Sequence, residues 1–162
     1  MQAATQIQVR LARPEESAAI AAVLHGSFVE FKTLYTKPGF SATAITSDQV
    51  LLRVREGPVW VALRKRQPVG TVSALVKDSA ISIRGMGVLP AERGSGTGSL
   101  LLRQVESWAE SLGVSRLFLS TTPFLHSAIR LYERSGFRRI NGGMSDLFGT
   151  PLFTMEKILS AL

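Results

Sequence analysis

The run Arg93-Gly-Ser-Gly-Thr-Gly98 sets three glycines at alternate positions after an arginine, between a strand-like apolar stretch and a leucine-rich one. Glycine removes the side chain where something must approach the main chain or where φ turns positive. Such a segment opening a helix offers unpaired N–H groups and a partial positive charge, which together attract phosphate. Arg93 adds a fixed charge and a forked donor. Two familiar phosphate loops fail on spacing. No lysine follows any of these glycines, as G-x-x-x-x-G-K-[ST] requires, and Ser99 stands where G-x-G-x-x-G needs its third glycine. The bland alternative is a tight turn with a solvated arginine, but turns rarely need three alternating glycines. A second candidate is Tyr132. A phenol with an ordinary pKa of about 10 is protonated at neutral pH and can donate a proton; a core aromatic with its hydroxyl at the surface is the competing reading.

Arg93-x-x-Gly96-x-Gly98 after "GVLP", then "AIRLYERSGF" (128–137) and a closing "FTMEKIL", resembles the GNAT-type N-acetyltransferase superfamily across nearly the whole chain. The resemblance implies a mixed α/β fold with a mostly antiparallel sheet of six to seven strands. Helices would cover both faces, and one parallel strand pair would splay apart. It implies acetyl-CoA as co-substrate, held by the main chain at Met86, Gly87 and Val88 and by Arg93, Gly94, Ser95, Gly96, Thr97 and Gly98. Thr121, Thr122, Ser127 and Arg134 are further coenzyme candidates, with a solvated arginine the alternative for Arg134. Tyr132 would protonate the leaving thiolate while a strand N–H stabilises the oxyanion. The implied reaction moves an acetyl group to a primary amine of a small molecule or peptide. Leu125 departs from the pattern, standing where many relatives carry asparagine.

A primary amine must lose its proton before it attacks. Relatives often place a glutamate where Ser82 stands. Glu30, Asp78 and a water on Ser82 or Ser120 are the remaining candidates, and no base is assigned. His25 and His126 do not resolve this; His126, opening the helix that carries Tyr132, is the better placed. No pair of histidines has metal-ligand spacing and there is no cysteine, so no metal is expected.

These residues need elements to hold them. "IQVRLA" (7–12) alternates like a half-buried strand. A helix follows "RPEES" and runs to about Tyr35. "TKPGFS" reads as a turn on Pro38-Gly39, and "SDQVLLRVRE" as a helix capped by Ser47 or Asp48. "VWVALRK", "PVGTVSALVK" and "AISIRGMGV" read as strands joined by hairpins, with Gly85 and Gly87 suggesting a bulge. "GSLLLRQVESWAESLG" is a helix with Leu101, Val105, Trp108 and Leu112 as its stripe and Gly113 as its stop. "SRLFLSTT" completes a β–α–β unit. "HSAIRLYERSG" forms a short helix ended by Gly136, and "FRRI" and "PLFTMEKIL" are the last strands.

A chain of 162 residues, 45% apolar and 19% charged, suits one globular domain. No apolar run is long enough to span a membrane, and the start lacks the pattern of a signal peptide. Lack of cysteine is compatible with a reducing cytoplasm, the expected location. The net charge of +7 admits nucleic acid, an anionic cofactor or a solvated surface. No aromatics interleave with the bases, which disfavours nucleic acid. "FVEFKTLYTKPGF" and "NGGMSDLFGTP" should choose the acceptor, and their few acids disfavour a polycation. A homodimer is a further expectation of the resemblance. The rival within the same fold is a non-catalytic acyl-CoA sensor.

Overall fold

The computed structural model describes residues 6–142 and 144–160. Gly143, inside the second acceptor segment, lies outside them. Eight strands are described: β1 (Gln8–Leu11), β2 (Val59–Arg64), β3 (Gln67–Lys77), β4 (Ala80–Val88), β5 (Arg116–Thr121), β6 (Arg138–Arg139), β7 (Ser145–Leu147) and β8 (Thr150–Ile158). They join in the order β1-β2-β3-β4-β5-β8-β6, with β7 paired to β8. All pairings are antiparallel except β4 with β5. The three-residue β7 was not foreseen and takes the count past the six to seven expected.

β2 shows why helices cover both faces. Val59, Val61 and Leu63 pack in one core with Ile20, Leu24 and Val50, whereas Trp60 and Ala62 pack in another with Leu101, Leu102, Val105 and Leu117. Side chains alternate across a strand, so a run apolar at every position must be covered twice. The first core belongs to α1 (Ser17–Phe28) and α3 (Ser47–Glu56), the second to α4 (Thr97–Ser111) and α5 (His126–Arg134). The two hairpins turn on Lys65-Arg66 and Asp78-Ser79, all four with φ between 50° and 66°, as the right-handed twist of flanking strands favours.

Several expectations change. The first helix ends at Phe28 and continues as a 3-10 helix over Val29–Leu34; near this change of pitch the Ser27 hydroxyl donates back to Val23 O at 2.6 Å, a bond that loosens helices. "TKPGFS" is no turn but the start of α2 (Lys37–Thr43), whose Thr36 cap accepts from Gly39 N–H at 3.0 Å. Proline in the first helical turn costs no bond. The cap of α3 is Thr46, in a reciprocal box with Gln49, not Ser47 or Asp48. In α4 the stripe holds Leu101, Leu102, Val105 and Ala109; Trp108 stands edge-on to Trp60 and Leu112 is exposed.

Candidate coenzyme cleft and active site

The site begins where β4 and β5 part. Their parallel pairing is registered only at Ile81–Leu117 and Ser82–Phe118, although β4 runs on to Val88 against β3. Past Ser82, the side of β4 facing β5 therefore has main-chain groups that the sheet does not consume. Gly85 and Met86 stand opposite Val72 alone, a bulge with Gly85 at φ 63°. The expected bulge and splay are thus both present.

From the end of β4 the chain turns through Pro90–Glu92 into the glycine loop and α4. Gly94 and Gly96 have φ of 81° and 89°, and a Cβ on either would meet nothing within 4 Å, so the backbone here is strained for other residues and open above. The first bond of α4 runs from Leu100 N–H to Gly96 O at 3.1 Å. The amides of Thr97, Gly98 and Ser99 have no main-chain acceptor among the described residues. Gly98 is bare for a different reason: a Cβ there would sit 2.5 Å from Leu131 Cδ2, so α5 packs against it.

These elements enclose a cleft of about 460 Å³. Of the residues singled out in the sequence, Met86, Gly87, Val88, Arg93, Gly94 and Gly96 line it from the β4 side and the loop. Thr97 and Gly98 line it at the mouth of α4, and Ser127, Tyr132 and Arg134 from α5. Three are not brought there. Ser95 turns its hydroxyl to Glu92 O and Thr97 Oγ1, while Thr121 and Thr122 are buried beside the splay without reaching the cleft wall.

Tyr132 is buried, its ring edge-on to Phe137 at 6.0 Å. Burial first, and the neighbouring Tyr35 second, push its phenol up to about 12. Arg93 is not poised freely over the loop. It pairs with Glu30, donates to Ser27 O at 2.8 Å and lies over the Phe31 ring, fastening the loop to the end of α1.

Of the possible bases, Glu30 is held by that ion pair, Asp78 sits in the β3–β4 turn, and neither Ser82 nor Ser120 lines the cleft. Among the described lining residues the one carboxylate is Glu92, bound through both oxygens to Arg64 Nε at 2.8 and 2.9 Å. His25 and His126 are both exposed and off the cleft wall.

The sequence reading missed Ser27 and Arg130; Phe28 and Phe31, from the segment expected to choose the acceptor, complete that wall. Arg130 carries a signal, since it precedes Arg134 by one helical turn and shares its face. Nothing local marks Ser27, whose role exists only once α1 lies across β4.

Residues 20–137 match the Acetyltransferase (GNAT) family. The chain is 31% identical over 119 residues to N-acetylaspartate synthetase of Danio rerio, covering 72% of this chain and 36% of that protein. It is 27% identical over 153 residues to streptothricin acetyltransferase of Streptomyces lavendulae, covering 80% of each. Its fold matches that of PaiA N-acetyltransferase from Thermoplasma acidophilum in complex with coenzyme A, with a TM-score of 0.81 at 15% identity, over 94% of this chain and 99% of that one. The chain spans 35% to 39% of the length of the first curated relatives it matches. A splayed parallel pair, a glycine loop opening α4 and a family match across both place this chain in the acetyltransferase (GNAT) family.

Proposed function

We propose that this chain is an acetyl-CoA-dependent N-acetyltransferase acting on a primary amine of a small molecule or peptide. The observation that carries the reading is the meeting of two features in one cleft: the free amides of residues 97–99 under open glycines, and the buried phenol of Tyr132.

The fit to a diphosphate is direct. Three amides at a helix mouth, with Arg130 and Arg134 beside them, supply donors and positive charge without an obstructing side chain. The β4 edge beyond Ser82 can hold a pantetheine arm by main-chain bonds. One of its N–H groups, between Met86 and Val88, stabilises the oxygen that becomes negative as the amine attacks. The C–N bond forms, the C–S bond breaks, and Tyr132 gives its phenolic proton to the departing thiolate. Burial keeps this phenol protonated at neutral pH and so available to donate. With no unpaired carboxylate on the described cleft wall, the amine's proton is left to solvent.

That same lack of an unpaired carboxylate among the described lining residues supports a second reading, an acyl-CoA-binding sensor on this fold. Release of free thiol from acetyl-CoA across an amine panel separates the two, together with Tyr132→Phe. As an enzyme, the variant loses about 100-fold or more in kcat while its affinity for coenzyme A, measured by calorimetry, is kept. Silence with every amine, with coenzyme A still bound, would favour the sensor. Absence of coenzyme A binding would end both.

A further inference from the structure

On the sheet face covered by α1 and α3, two arginines meet at the bulge of β4. Arg84 lies between Ile83 and Gly85; Ile81 and Ile83 point into the core of α4, so Arg84 points to the other side. Its guanidinium is 3.4 Å from Glu56 Oε2, and its Nε is buried with no hydrogen-bond partner. Arg53, from α3, comes down beside it. The Arg53 Nη1 occupies the space over Gly85 where a Cβ would stand, which the missing side chain and the positive φ of Gly85 permit. The Arg53 guanidinium makes no hydrogen bond or ion pair among the described residues, and burial and the charge of Arg84 hold it down to about 10. Among the described residues, Glu56 is the carboxylate that faces the two cations, and it is 53% exposed.

Two guanidiniums side by side with one loosely held carboxylate leave a positive charge partly out of water and a buried donor unpaired. Both cost free energy unless an anion arrives. Neither arginine lines the coenzyme cleft, so the coenzyme's phosphates do not serve them. Yet Gly85 is joined directly to Met86, which does line it, at the point where β4 leaves β5. An anion held here would lie on the α1–α3 side of β4, one residue from the cleft wall, within reach of an acceptor entering from that side. A planar carboxylate matches paired forked donors.

We infer that Arg53 and Arg84 form an anion subsite for the acceptor, and that the acetylated amine carries a carboxylate close to its nitrogen, as an amino acid does. This rests on the acetyl-transfer reading above and narrows its acceptor class. It agrees with the scarcity of acids in the segments expected to choose the acceptor.

The test gives the protein acetyl-CoA with L-amino acids and, pairwise, their C-terminal amides, following thiol release, and measures binding of each acceptor by calorimetry. The acid of each productive pair should have a KM about tenfold or more below its amide. Arg53→Gln and Arg84→Gln should each erase that advantage while leaving coenzyme A affinity and kcat/KM for the amide unchanged. Glu56→Gln, at an exposed acid that competes for Arg84, should lower KM for the acid. Amides serving as well as acids, or arginine variants losing both acceptors equally, would overturn the inference. If no acceptor releases thiol, the transferase reading fails by itself. Calorimetry still decides the subsite then: acids bind the parent protein and not the arginine variants, or the subsite is rejected.

Discussion

Tyr132 shows how far one side chain depends on its surroundings. Its phenol is ordinary in type, but burial first, and the neighbouring Tyr35 second, push its pKa up to about 12. A general acid works only while protonated, so a raised value moves the alkaline loss of activity upward. We expect kcat/KM to rise with pH as the free amine becomes neutral and to show no descending limb up to about pH 10, where a tyrosine with an ordinary pKa would begin to fail. A full pH–rate profile checks both limbs. The glycines divide in the same local manner. Gly98→Ala drives a Cβ against Leu131 on α5 and should cost about 1 kcal/mol of stability in denaturant melts. Gly96→Val meets open space but forces φ 89° on a branched residue, so it should weaken coenzyme A binding more than stability. The loop and Tyr132 were legible because their spacing is local. The engagement of Arg93 by Glu30 was not, because the two are 63 positions apart and meet only through the fold.

At the scale of elements, the entry into α1 is fixed by one carboxylate. Glu16 accepts both forks of Arg10 at 2.8 Å and the Arg13 N–H at 2.8 Å, joining β1 to the turn before the helix. The Arg10 bond, more than the opposing burial, holds Glu16 down to about 2. Its folded value lies below its ordinary 4.5, so the stability it supplies is present above that pH and lost as pH falls toward 2. Glu16→Gln should cost about 1–3 kcal/mol at neutral pH and flatten the acid limb of a pH–stability curve. The misreading of α2 also belongs to this scale. Pro38-Gly39 carries turn chemistry, yet with Thr36 as cap the proline fits a first helical turn, and long-range bonds select the helix: Thr36 Oγ1 donates to Phe148 O at 2.8 Å, and its N–H to Thr150 Oγ1 at 2.9 Å. Periodicity found the other helices and every strand except β7 to within a few residues. β7 is too short for a pattern and exists by pairing with β8.

For the molecule as a whole, the net charge of +7 is not one dense patch, but Arg130 and Arg134 put part of it at the cleft. Screening acts on such partly exposed charges. Raising salt from about 0.05 to 0.5 M should weaken coenzyme A binding several-fold in titration calorimetry while moving the melting temperature little. The composition pointed only to a globular chain with a basic surface; which bases gather at the cleft depends on α5 docking beside α4. One feature of the sheet reaches beyond the mature protein. β8 is an inner strand, paired with β5 on one side and β6 on the other, and it is the last strand in sequence. During translation the outer edge of β5 therefore has no neighbour from the time it is made until β8, residues 150–158, has followed it out of the ribosome.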